Sequence, residues 1–214
     1  MKLPILIIVI LFCGITYGQK ASKNVIKYMP PVSLFDIKGD TTNLLNLGKG
    51  KVTFIDFWFI PCVPCFEEMT MLHKINDTYK SNINFKFLTI TYSDSSFVRN
   101  LIENRNTEDN DVYDYFKAWA KLDTFRLPVY FIKNYTTKMK LFKKNKTGKG
   151  FSGLNWPNPK ENKISPDSIF GFLAYPTILI FDKTGKLVFN KTGFIDKFEV
   201  KDFAEIIRII NSIL

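Results

Sequence analysis

Two cysteines separated by two residues, Cys62-Val63-Pro64-Cys65, are the part of this sequence best equipped for chemistry. Thiolate is the reactive form of cysteine, and a helix N-terminus lowers the thiol pKa through its free N–H groups and dipole. The pair directly follows an apolar run, Lys51–Phe59, and opens a segment, Cys62–Tyr79, with apolar residues at helical spacing. Pro64 suits a first helical turn, where a missing N–H costs nothing. Cys62, at the helix start, is expected to attack a disulfide; Cys65, one turn inward, is expected to resolve the mixed intermediate.

Two carboxylates accompany the thiols. Asp56 is the only ionisable group between Val52 and Phe59, a run apolar on both faces, so burial should raise its pKa and ready it for proton transfer with Cys65. A buried aspartate held by backbone hydrogen bonds is the competing reading. Glu68, three residues after Cys65, faces the same side of the helix as that thiol, unless it is a plain surface glutamate. Tyr175-Pro176-Thr177 places a proline at the very start of a strand, as happens at an edge or at a cis peptide.

The elements that must position these residues alternate between strand and helix. Val32–Gly39 and Thr41–Leu47 read as a hairpin, Lys51–Phe59 and Asn84–Thr91 as buried strands around a helix, and Leu127–Ile132 as a further strand. Phe97–Arg105 and Val112–Leu122 read as helices. Thr177–Phe181 and Lys186–Asn190 are strands about the turn Asp182–Gly185. Lys197–Leu214 closes as an amphipathic helix with Phe203, Ile206, Ile207 and Ile210 on one side.

Composition narrows the function classes. The 214 residues are 46% hydrophobic and 23% charged, which excludes global disorder and collagen-like repeats. Three cysteines and one histidine are too few for a multi-ligand zinc framework, so no metal and no cofactor are expected. The formal charge of +10 invites a nucleic-acid reading, but Lys133–Lys163 alone holds nine lysines against one glutamate. This segment is expected to be a flap, a basic face open to an acidic partner or anionic lipid, with Phe151 and Trp156 pinning it. Export argues against nucleic acid.

Export is read from Met1–Gly18, with an apolar stretch from Leu3 to Phe12 and a small-residue cleavage pattern at Thr16-Tyr17-Gly18. Residues 1–18 are the expected signal peptide and 19–29 a linker. An uncleaved segment extending to Tyr17 would instead anchor the chain in the membrane, and Cys13 is a poorer candidate for lipid attachment because Phe12 precedes it. An exported chain with only one close cysteine pair is not a disulfide-stapled scaffold, so the pair reads as chemical rather than structural.

Taken together, Phe57-Trp58, Cys62-Val63-Pro64-Cys65, Glu67-Glu68-Met69, Pro30–Leu47 and Tyr175–Gly185 resemble the thioredoxin superfamily, specifically its exported TlpA/ResA-like branch. The similar stretches, 30–93 and 172–214, are about half of the chain. The resemblance implies an α/β thioredoxin-like three-layer sandwich with a mixed central sheet, an N-terminal hairpin and a long insertion at about 94–171, all within a domain of residues 30–214. It implies a redox-active Cys62–Cys65 disulfide, with Pro176 cis beside it. The substrate groove implied is lined by Trp58, Pro61, Val63, Pro64, Tyr175 and Thr177.

Asp56 falls where thioredoxins carry a buried aspartate; exported relatives often use a glutamate at the position of Glu68, and this chain has both. Pro61 departs from the tryptophan common before the first cysteine. The partners implied are disulfide-bearing proteins of the periplasm, apocytochromes among them, and a membrane electron donor. Two other functions compete. A thiol peroxidase is disfavoured by Phe59, where a Thr or Ser is usual. A binding module that captures metal through the pair would need further ligands, and His73 is better read as a packed or surface histidine.

Overall fold

A computed structural model of the chain describes residues 25–133, 139, 141–147, 150–154, 166–195 and 199–214. The signal segment, most of the linker and Trp156 lie outside the described residues.

The N-terminal hairpin pairs β1 (Ser33–Asp36) with β2 (Thr41–Asn43). It is shorter than its sequence suggests, because Leu44–Gly48 turns into a helix, α1, rather than continuing the strand. Asn43 caps it, its side chain accepting the Leu45 N–H at 2.9 Å. Gly48 sits so close to Met29 and Thr53 that a Cβ there would come within 2.7 Å of the Thr53 hydroxyl.

The centre follows as β3 (Val52–Trp58), α2 (Val63–Tyr79) and β4 (Phe85–Thr91). Next come α3 (Ser95–Ile102), α4 (Val112–Ala120) and β5 (Val129–Ile132). A separate two-stranded sheet, β6 (Leu141–Lys144) with β7 (Phe151–Leu154), lies in the lysine-rich segment. The short helix α5 (Pro166–Phe170) precedes β8 (Thr177–Phe181), β9 (Leu187–Thr192) and the closing helix α6 (Glu199–Ile213).

The main sheet has seven strands in the order β2-β1-β5-β4-β3-β8-β9. β3, β4 and β5 run parallel; β8 joins β3 antiparallel, so the sheet is mixed. Every residue of β3 is buried, and its two faces serve different layers. Val52, Phe54 and Trp58 pack with Phe66, Met69 and Leu72 of α2, Phe116 of α4 and Ile206 and Ile210 of α6. Ile55 and Phe57 pack the other way, against Leu44 of α1 and Phe170 of α5. Period-two alternation thus sends the even residues of β3, Asp56 among them, toward α2 and α6.

The expected flap is in part an ordered hairpin docked on α4. Phe142 and Phe151 stack at 5.8 Å between ring centroids, and each meets Tyr115 edge-on at 5.0 Å. One of its lysines is ion-paired within the chain and the next is held through its backbone. Asp111 accepts from the Lys144 N–H at 2.7 Å and pairs with Lys143 Nζ at 2.9 Å.

Candidate active site

Cys62 is the N-cap of α2 and Cys65 stands in its first turn, as the sequence placed them. The two sulfurs are joined in a disulfide, with Cα atoms 5.3 Å apart. Cys62 Sγ accepts the Cys65 N–H at 3.3 Å, so the helix end delivers a donor to that sulfur in particular. Cys62 is 6% exposed and Cys65 1%. Both are buried, and Cys62 keeps the larger share of what little surface the pair has.

The approach to the pair is pinned by hydrogen bonds from three directions. Ile60 N–H donates to Ser93 Oγ at 2.8 Å, and Cys62 N–H to the Phe59 carbonyl at 2.9 Å. Tyr115 O–H donates to the Pro61 carbonyl at 2.9 Å. Burial, and secondarily the charge of Glu67, hold the Tyr115 phenol well above its ordinary pKa, so it stays a donor. The insertion therefore touches the redox segment through a residue that the sequence did not single out. Tyr115→Phe removes this bond and keeps the ring; the expected loss is about 1 kcal/mol of stability. An unchanged urea midpoint would show the bond to be idle.

The peptide bonds Ile60–Pro61 and Tyr175–Pro176 are both cis. Pro176 is buried, and its carbonyl accepts the Gly193 N–H at 2.7 Å. Tyr175 lies edge-on to Phe59 at 5.1 Å and meets Tyr92 at 5.5 Å, which sets the loop before β8 against the segment leading into the pair.

Two expected groove residues are elsewhere. Trp58 is 0% exposed, on the even face of β3 against Phe66 and Phe125, so it is core rather than groove. Thr177 is 1% exposed; its hydroxyl lies 2.7 Å from the Ala174 carbonyl and 2.8 Å from Thr192 Oγ1. Pro61, Val63, Pro64 and Tyr175 are half-buried and keep surface at the rim.

Both carboxylates are inside. Asp56 is 0% exposed and Glu68 1%, which removes the surface-glutamate reading. Among the described residues, neither oxygen of Asp56 has a hydrogen-bond partner, and Glu68 Oε2 has none. In the next strand Thr89 stands opposite Asp56, but its hydroxyl is committed to the Pro128 carbonyl at 3.0 Å. Burial raises the Asp56 pKa well above the carboxylate range; the Phe57 N–H opposes this without reaching hydrogen-bond geometry. Glu68 is raised by burial first and by Asp56 second.

His73 is packed, 5% exposed, its Nε2 accepting the Arg126 N–H at 3.4 Å. Burial, with Arg126 adding to it, brings its pKa down to about 4. Its imidazole signals should therefore stay fixed between pH 5 and 8 in an NMR titration, and a midpoint near 6.5 would contradict this environment. Among the described residues no group of three or more His, Cys, Asp or Glu could hold a metal ion, and no helix is long and apolar enough to cross a membrane.

No protein-family model matches the chain, and no curated protein does. Solved structures do resemble it. A candidate thiol:disulfide interchange protein DsbE from Chlorobium tepidum is 16% identical, with a TM-score of 0.50 over 89% of this chain and 99% of that one. A candidate protein disulfide isomerase from Bacteroides thetaiotaomicron is also 16% identical, with a TM-score of 0.52 over 91% and 94%. The mixed sheet with its helices and N-terminal hairpin is a thioredoxin-like α/β fold.

Proposed function

We propose that this protein is a thiol–disulfide oxidoreductase that reduces disulfides in other exported proteins. One observation carries the reading: Cys62 caps α2 and receives the Cys65 N–H, while Cys65 lies buried behind it. That asymmetry divides the labour between the sulfurs. The Cys62 thiolate attacks one sulfur of a client disulfide; the client S–S bond breaks, and the departing client sulfur takes a proton. Cys65 then gives its proton to the buried carboxyl pair and attacks Cys62 Sγ. The intramolecular disulfide closes, the second client sulfur leaves, and two electrons have passed from the dithiol to the client.

Asp56 and Glu68 are assigned as the proton acceptors. The rim residues Pro61, Val63, Pro64 and Tyr175, with Pro176 behind them, are assigned to the client chain. Leu173, exposed two residues before Tyr175, is assigned to the client chain with them as an apolar contact. Apolar residues at Leu3–Phe12 support export, so the clients are disulfide-bearing proteins of the periplasm and the dithiol is restored by a membrane electron donor. The names of the two structural neighbours agree with this chemistry, although at 16% identity the likeness speaks for the fold.

An equilibrium redox titration, read by thiol alkylation, tests the reading. A midpoint near that of thioredoxin, roughly −270 mV, is expected for a reductase that needs a donor. A midpoint near about −120 mV would reverse the direction and make the protein an oxidant. The absence of any reversible dithiol couple would remove the enzyme reading altogether.

A further inference from the structure

A lysine is buried on the same sheet face as the two carboxylates. Asp56 pairs with Ile178 across β3 and β8, and Ile178 pairs with Lys191 across β8 and β9. Directly paired residues point to one face, so Asp56, Ile178 and Lys191 form one row beneath α2 and α6. Two inter-strand steps of about 4.8 Å separate the ends of that row. Glu68 comes down on the same layer from α2, and Asp202 from α6. Lys191 is 9% exposed and ion-paired with Asp202, whose side chain is 15% exposed. Its ammonium also lies 5.5 Å from the centre of the Phe194 ring.

A buried ammonium in this place has an electrostatic consequence. Two carboxyls close together in the core resist ionising, and a neutral carboxyl cannot take a proton. A nearby cation restores an ionised member. We propose that Lys191 is a positioning residue which holds one of the buried carboxyls ionised to receive the Cys65 proton, and that Asp202 limits how strongly it does so. The proposal rests on the oxidoreductase reading and deepens it.

The groups that face Glu68 act with the matching signs. Asp56 from β3 raises its pKa, Lys191 from β9 lowers it, and Asp202 from α6 raises it. The last two effects oppose each other, and this gives a test that damage to packing would not mimic.

The closing step can be isolated by stopped flow with an aromatic disulfide, 5,5′-dithiobis(2-nitrobenzoate). The reduced protein releases one coloured thiolate when Cys62 attacks and a second when Cys65 closes the ring. The second phase is independent of reagent concentration, and its rate is followed against pH. Lys191→Met should move the rising limb of that profile to higher pH by about one unit, so that closure at a fixed pH on that limb slows roughly tenfold. Lys191→Arg, which keeps the charge, should restore the parent midpoint. Asp202→Asn should move the limb to lower pH.

Shifts of the two charge-removing variants in the same direction, or a parent profile kept by both, would overturn the assignment of Lys191 while leaving the oxidoreductase reading intact. A parent that releases no second thiolate contradicts that reading, and this assignment with it.

Discussion

Cys65→Ser is expected to stop turnover and leave the protein covalently attached to its client. The substitution keeps what activates Cys62, because the donor to Cys62 Sγ is the backbone N–H of residue 65 and not its side chain. Attack on a client disulfide should therefore proceed, and the mixed disulfide then has no resolving thiol. Intact-mass measurement after incubation with a disulfide-bearing peptide should show an adduct of one peptide half, released by dithiothreitol. Cys62→Ser should show neither turnover nor adduct, since Cys65 is 1% exposed behind the helix end. An adduct on Cys65 in that variant would reverse the assigned roles. Full reductase activity in either variant would sink the dithiol mechanism. The trapping variant also gives access to clients, which form the same adduct when present.

The redox segment was legible in the sequence because a few strong local signals coincide there. An apolar strand, two cysteines at one-turn spacing and a proline suited to the first turn leave little choice about where the sulfurs sit. Asp56 was legible for the same reason, as one charge in a run with no polar face. The same property hid the orientation of Trp58: when both faces of a strand are apolar, alternation does not say which residue meets a groove and which meets a helix.

Leu44–Gly48 misled by its shortness, since a few apolar residues fit a strand or a single helical turn equally well. In β6 two lysines mask the strand pattern, in β7 a serine and a glycine interrupt it, and Phe142 is explained by Phe151 of the paired strand and by the more distant Tyr115. Lys191 was the most consequential omission. Its parity with Phe189 in a short strand was the available signal, but its partners Glu68 and Asp202 come from helices far away in sequence. Register across three strands had to be known before that lysine could be joined to the thiols.

Asp56→Asn is expected to stabilise the oxidised protein at alkaline pH while altering its closing step. The buried carboxyl has a pKa raised by burial, and among the described residues its oxygens have no hydrogen-bond partner. Above the ordinary carboxylate range the unfolded chain has lost this proton while the folded chain retains it. The folded state then binds more protons than the unfolded one, so stability falls as pH rises through that window. Asparagine removes the titration. At pH 8 the variant should be more stable by about 1.4 kcal/mol for each unit by which burial raises that pKa. For a chain of this size that corresponds to about 2–4 °C in Tm per kcal/mol.

Below about pH 3 the parent carboxyl is neutral in both states, and the difference should shrink toward zero. His73 titrates in both proteins and cancels from the comparison. A variant less stable than the parent at every pH would mean that Asp56 is satisfied after all. The kinetic half of the prediction follows from the second carboxyl. Asp56 raises the pKa of Glu68, so its removal should let Glu68 ionise more readily and take the Cys65 proton alone. Asp56→Asn and Glu68→Gln, compared by the pH profile of the second thiolate release, therefore separate two arrangements. Slowing by one variant only assigns the proton to the carboxyl it removes. A shared shift in both profiles, with closure retained in each, makes the two carboxyls one acceptor.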